Sequence, residues 1–294
     1  MKGYDNMEII FEKIRRSYFF NKILECLGII GIDKICIRIM YKWFEKHPTQ
    51  AMMESIKFYE EHIGDIEYNK SLLADEKSKQ IYERMIDFRK TMKYGYHPGM
   101  ELPQYFVKDI ISYGKDEVFI DCGGYDGKTS VDFIHEVENK FKKIVIFEPD
   151  FNCESMIKKN LPNDERIVLI KKGVWNENTE LEFVASGDSA SHVVENNNNE
   201  RVNKEFISVV AIDECDECKD ATFIKMDLEG AEMKALEGAR ETIIRNRPKL
   251  AICIYHSDED MLNIIRYIHD LVPEYKLYVR HHSRAAIETV LYAV

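Results

Sequence analysis

Glu117–Ser130, EVFIDCGGYDGKTS, is the stretch from which the fold is read. Val118, Phe119 and Ile120 make a short apolar strand pattern that runs into Asp121, then Gly123, Gly124 and Gly127, and then a helical pattern. Strand, glycine loop and helix in that order open the nucleotide site of a doubly wound α/β domain. Glycine lets the backbone turn tightly and approach a ligand, and the helix N-terminus supplies free N–H groups. The spacing is D-x-G-G-x-x-G, not the dinucleotide G-x-G-x-x-G. A carboxylate at Asp121 would repel a pyrophosphate. A donor such as S-adenosylmethionine has no phosphate and carries a sulfonium and an ammonium, which an acid in the loop attracts. The loop therefore favours a methyl donor over NAD.

Working outward, strand and helix alternate. Thr129–Lys140 reads as a helix, KKIVIFEPD as a buried strand ending at Glu148, and Asn152–Asn160 as the next helix. RIVLIKKGVW is a strand, LEFVAS and FISVVAID add strands around a polar loop, and TFIKMD is another. A helix over Ala231–Arg245, the strand KLAICIYH, a helix over Glu259–Val272 and a hairpin of YKLYVRHH with AIETVLYAV complete the chain. This alternation implies a parallel sheet with helices on both faces, its last strand antiparallel.

Upstream of the loop, Tyr105, Phe106, Ile110 and Ile111 suit a short amphipathic helix. Before that the chain is helical: residues 1–45 with mixed faces, Gln50–His62 capped by Thr49, and a helix from Glu76 to about Thr91 capped by Asp75. Tyr94–Pro103, YGYHPGMELP, is a Gly/Pro hinge. It divides the chain into a helical N-terminal extension, 1–95, and an α/β domain, 96–294.

The net charge of −11 argues against general nucleic-acid binding, which needs a basic surface. The apolar stretch Ile23–Met40 is interrupted by Glu25, Asp33, Lys34 and Arg38, which excludes an ordinary transmembrane span. Arg15, Arg16, Lys22, Lys34 and Arg38 among Phe and Ile would suit a membrane surface, but an intradomain or homo-oligomer contact is the expectation. Seven cysteines without a signal peptide, several within strand patterns, indicate reduced thiols and a cytoplasmic protein. Cys215 and Cys218 form a lone C-x-x-C in an acidic loop with no further zinc ligands at suitable spacing, so surface thiols are expected.

Ligands of such sheets bind outside the carboxyl ends of the strands, where Asp121, Glu148, Gly173, Asp227, His256 and His281 stand. Glu148 is placed to accept hydrogen bonds from a ribose cis-diol. In FIKMDLEGAEMKALEGA, Asp227 ends a strand beside the one carrying Asp121, and Glu229 and Glu232 follow at a helix start. Acids there also serve the helix dipole, and for Glu232 that reading stands equally.

VFIDCGGYDGKTS, IVIFEPD, KKGVW, FIKMDLEGAEMKALEGA, RPKLAICIYH and LYVRHHS…ETVLYA together resemble the FkbM family of S-adenosylmethionine-dependent methyltransferases, from about residue 95 to the end. The resemblance implies a class I methyltransferase fold, a Rossmann-like sheet of seven strands. It also implies methyl transfer, usually to a hydroxyl of a sugar, glycan or secondary metabolite. Relatives usually carry an aromatic residue at the position of His282, which makes His281 the better match. The expected donor-pocket residues are Tyr105, Asp121, Gly123, Gly124, Gly127, Thr129, Glu148, Pro149, Gly173, Val174 and Asp227. A sugar hydroxyl needs a base; His256 is the first candidate and Asp227 the second, with Glu229 also at the catalytic end. Mg²⁺ held by Asp227, Glu229 and waters is a weaker alternative, since acids at a helix start need no metal. His192, in the polar loop, is expected to be a surface residue. An NAD-dependent oxidoreductase and a non-catalytic donor-binding module are the competing readings. A nucleic-acid base methyltransferase is weaker, because the strand ends M-D-L-E rather than in Asn/Asp-Pro-Pro-aromatic.

Overall fold

The computed structural model describes residues 41–43, 45–91, 93–184, 192–193 and 204–294. Most of the mixed-face helix over 1–45, with its membrane-surface and oligomer readings, and most of the polar loop after residue 184 lie outside these residues. Three helices come first: α1 (Gln50–Glu61), α2 (Ile63–Leu72) and α3 (Glu76–Thr91). Thr49 caps α1, its Oγ1 accepting from Met52 N at 3.2 Å, and Asp75 caps α3 by accepting from Ser78 N at 2.7 Å. Ile81, Met85 and Phe88 of α3 are buried as their spacing requires.

The main sheet contains β1 (Val118–Cys122), β2 (Lys143–Phe147), β3 (Ile167–Ile170), β8 (Phe223–Met226), β9 (Lys249–Cys253), β10 (Leu277–His281) and β11 (Thr289–Ala293). Their order is β10-β11-β9-β8-β1-β2-β3. All pairings are parallel except those of β11, which runs antiparallel to both neighbours. Alternation sorts the strands onto two faces: Phe119, Ile144, Ile146, Phe223, Cys253 and Tyr292 share one core, and Ile120, Val145, Phe147, Met226, Ile252 and Leu291 the other. The second core also takes Met52, Tyr59, Tyr82 and Phe88 from the N-terminal helices. Helices α4 (Lys128–Glu136), α5 (Glu154–Asn160), α6 (Glu232–Glu237), α7 (Arg240–Asn246) and α8 (Asp258–Leu271) connect the strands.

Several local expectations differ from what is observed. RIVLIKKGVW is not one strand: β3 ends at Ile170, and Gly173–Val174 form β4 in a second, four-stranded sheet ordered β4-β7-β5-β6. The other strands of that sheet are β5 (Thr179–Val184), β6 (His192–Val193) and β7 (Lys204–Val210), so residues 181–184 of LEFVAS and 206–210 of FISVVAID pair outside the main sheet. The helix expected over Ala231–Arg245 is two, broken at Gly238, where a Cβ would lie 2.0 Å from Trp175 O. No helix forms at Tyr105–Ile111. Tyr105 takes φ 65° and its N–H donates to Tyr292 Oη at 3.0 Å, which removes it from a helical ladder. Cys215 and Cys218 are buried, not on the surface.

Helix α3 lies along β10. Ala74 N donates to Leu277 O at 2.8 Å, Val279 N donates to Ser78 Oγ at 3.0 Å, and the Arg280 guanidinium meets Asp75 at 2.8 Å. Arg89 and Tyr59 both reach Asp258 at the start of α8, at 2.8 and 2.7 Å. Among the described residues, no helix is long and apolar enough to cross a membrane.

Candidate active site

The glycine loop folds back over the end of β2, with Gly123 N and Gly124 N both donating to Phe147 O at 3.0 Å. Gly123 has φ 83°, and a Cβ there would sit 2.0 Å from Asp227 O. Only glycine lets the β1 loop lie this close to the end of β8. Gly127 precedes α4 directly, and Thr129 is half-buried in the first turn of that helix. At the end of β2 the Glu148 carboxylate accepts from Tyr125 N and Asp150 N, each at 2.8 Å. Burial pushes its carboxyl up, with the two N–H donors opposing. Pro149 lies against Gly173, and Val174 beside it is buried in β4, so the second sheet flanks this side of the loop.

Asp121 is buried beneath the loop and paired, which corrects the expectation of a free carboxylate at the loop's mouth. Its side chain is 0% exposed; Ser130 Oγ donates to it at 2.7 Å and Lys225 Nζ lies 3.1 Å away. Lys225, directly opposite on β8, is itself 2% exposed and donates to Gly123 O at 2.7 Å. The acid and the lysine neutralise each other beneath the loop and tie its backbone down.

The carboxyl ends of β8 and β9 and the start of β11 assemble a second group of side chains. Asp227 accepts from Tyr105 Oη at 2.8 Å and Tyr255 Oη at 3.3 Å. Burial works against its charge, but Lys225 and His256 hold its carboxyl below the usual carboxylate range. His256 Nε2 lies 3.5 Å from Asp227 Oδ1 and 3.8 Å from Glu229 Oε2, and its Nδ1 lies 2.9 Å from Glu232 Oε1. Glu232 is fully buried and accepts from Leu228 N at 2.6 Å and Gly230 N at 3.0 Å. It therefore closes the turn after β8 and holds the imidazole, both the capping and the site reading at once. Glu288, before β11, accepts from Gln104 and from Tyr255 Oη at 3.4 Å. Burial, with the charge of Asp227 added, raises its carboxyl to about 7.

Burial alone would lower the His256 imidazole, but Glu232, Glu229 and Asp227 outweigh it and raise it to about 10. The three carboxylates around it favour the charged imidazole over the neutral one, and a cation placed between them would compete with that proton. His281 and His282 stand apart from this chemistry. His281 Nδ1 pairs with Thr289 Oγ1 at 3.0 Å, and His282 lies between Glu101 O at 2.9 Å and Tyr292 Oη at 2.8 Å. Burial lowers both imidazoles and keeps them neutral.

Tyr255, Glu288, Gln104 and Lys225 were not among the residues expected from sequence. Lys225 was within reach, because placing TFIKMD beside the strand of Asp121 sets the two residues opposite each other. Tyr255 and Glu288 lie beside strands that are legible in the sequence, but nothing in those patterns marks them as site residues, and Gln104 comes from an irregular segment.

A seven-stranded sheet with this order, a glycine loop after β1 and acids at the ends of β2 and β8 define a class I methyltransferase fold. Residues 121–275 match the family profile described as the methyltransferase FkbM domain, and the chain belongs to that family. Among solved structures it is similar to methyltransferase FkbM from Methylobacillus flagellatus KT, with 27% identity, a TM-score of 0.69, and coverage of 81% of this chain and 60% of that one. The chain thus spans about three fifths of the length of that relative. An rRNA methylase from Streptococcus thermophilus is more distant, at 14% identity over 64% of this chain and 90% of that one with a TM-score of 0.39. No curated protein matches the chain.

Proposed function

We propose that the protein transfers a methyl group from S-adenosylmethionine to a hydroxyl of a sugar, glycan or secondary metabolite. The observation that carries this reading is that the glycine loop and the acid cluster meet at one residue. Gly123 packs on the Asp227 backbone, and the Asp227 side chain belongs to the cluster.

The residues present fit the donor. Each Glu148 oxygen accepts one backbone N–H and keeps a lone pair for a ribose hydroxyl. Asp121 and Lys225 pair with each other, so the negative charge at the loop's mouth comes from Asp227, the side expected to attract a sulfonium and an ammonium, while burial raises the Glu229 carboxyl to about 8. The donor brings a methyl group on a leaving group that needs no acid. What remains for the chain is alignment of the acceptor oxygen and removal of its proton. Tyr105 and Tyr255 fix the Asp227 carboxylate, and Glu288, held near neutrality, is suited to take the proton. The net charge of −11 supports a small molecule or glycan over nucleic acid as acceptor.

Calorimetric titration with S-adenosylmethionine, S-adenosylhomocysteine and NAD tests the reading. Binding of the first two and not the third is expected; failure of both to bind overturns it. Transfer of labelled methyl to a hydroxylated acceptor distinguishes an enzyme from a donor-binding module.

A further inference from the structure

We propose that Asp227 Oδ1, Glu229 Oε2 and His256 Nε2 form a binding site for a divalent first-row transition ion, with Glu232 orienting the imidazole through Nδ1. The three donor atoms lie within 4.8 Å of one another. A tetrahedral ion with bonds of about 2.0–2.1 Å sets its donors roughly 3.4 Å apart, close to the separations around His256 Nε2. Those separations, 3.5 and 3.8 Å, are too long for hydrogen bonds and close to what an intervening ion would span.

The histidine carries the argument beyond a group of acids. Its side chain is 9% exposed, and Nε2 makes no hydrogen bond although it is aimed between two carboxylates. A buried polar nitrogen in that position is costly unless something occupies the space between. Its other nitrogen makes no aligned hydrogen bond either but lies at an ion-pair distance, 2.9 Å, from the fully buried Glu232, whose oxygens are fixed by Leu228 N and Gly230 N. A carboxylate on one imidazole nitrogen that turns the other toward an ion is the usual support of a metal-bound histidine. One imidazole with two carboxylates suits Mn²⁺, Fe²⁺, Co²⁺ or Zn²⁺ better than Mg²⁺, which prefers oxygen donors and retained waters.

Ion binding itself is independent of the proposed reaction. Its role rests on that reading: an ion here would take the acceptor oxygen as a further ligand and ease loss of its proton. Glu288 lies outside the ligand set.

The test uses the full chain, freed of metal with a chelator and titrated calorimetrically with Mn²⁺ and with Zn²⁺. S-adenosylhomocysteine is titrated into the same preparation, and bound Mn²⁺ is read by electron paramagnetic resonance. One equivalent of ion is expected, with affinity falling at least tenfold in Asp227→Asn and in Glu229→Gln. Nitrogen coupling to Mn²⁺ is expected in the native chain and not in His256→Gln. Glu229 is at the surface, so Glu229→Gln decides the matter if either buried variant fails to fold. No stoichiometric binding overturns the site, as does binding indifferent to Glu229→Gln and His256→Gln. Zinc lost only on replacing Cys215 and Cys218 by serine overturns it as well. Homocysteine-product binding without ion binding removes the metal site and leaves the donor reading intact; ion binding without the product does the reverse.

Discussion

The two walls of the site are built differently. The loop after β1 is held by backbone: Gly123 N and Gly124 N on Phe147 O, the Gly123 Cα on Asp227 O, and two N–H groups on Glu148. The cluster facing it is held by side chains from distant parts of the chain, with Tyr105, Asp227, Tyr255, His256 and Glu288 meeting through hydroxyls, carboxylates and an imidazole. A wall of backbone contacts tolerates few changes at its glycines and at the buried Asp121–Lys225 pair beneath it, and many in its exposed side chains. A wall of side chains has the opposite sensitivity, and its charge state follows from neighbours that burial brings together.

If that contrast holds, the largest effect belongs to the pair joining the two walls. Lys225→Met leaves Asp121 buried without its cation, and a loss of about 3–5 kcal/mol is expected from denaturant unfolding. Adding Asp121→Asn should recover part of it; an unchanged midpoint in the single variant would mean the pair is not buried as observed. Next comes Gly123→Ala. The added Cβ meets Asp227 O and the residue must keep φ 83°, so roughly 3 kcal/mol of stability and most donor affinity should be lost. Wild-type S-adenosylhomocysteine affinity in that variant would show that the loop is not backbone-limited.

Glu148→Ala should weaken donor binding by roughly ten- to a hundredfold, the worth of charge-assisted hydrogen bonds to a diol. Calorimetry measures it, and equal affinity would remove Glu148 from the donor site. The smallest effect per residue comes from the buried histidines. Burial lowers His97 from 6.5 to about 4 and lowers His281 and His282 as well. The folded state keeps them neutral while the unfolded chain takes up protons, so their stability contribution is complete above pH 6.5 and falls as pH drops toward 4. About 1 kcal/mol per pH unit is expected from His97 in that window from unfolding midpoints, with His281 and His282 acting in the same direction. A flat profile would show these imidazoles to be protonated in the fold.

The same contrast explains what could be read from the sequence. The β1 loop, Glu148 at the end of β2 and Asp227 at the end of β8 are local patterns: an apolar run, then glycine or an acid. The parallel character of the main sheet follows from the alternation of strand and helix. The partners of Asp227 have no such signature. Tyr105 reaches it from an irregular approach segment, and Tyr255 and Glu288 from the ends of two later strands. The upward shift of the His256 imidazole likewise depends on Glu232 folding back onto its own turn. Nor does strand periodicity say which sheet a strand joins, and β4, β5 and β7 pair away from the main one.

The contacts of α3 with β10 have a consequence for solubility. An edge strand with free N–H and C=O groups recruits other strands, and natural sheets blunt such edges. Here Leu277 O and Val279 N are already engaged by Ala74 and Ser78, and Arg280 is bound to Asp75. A chain trimmed at the hinge around residue 95 would bare that edge together with a charge built for burial. Aggregation by strand addition, not a smaller working enzyme, is the expected product, and light scattering of the trimmed chain would show it.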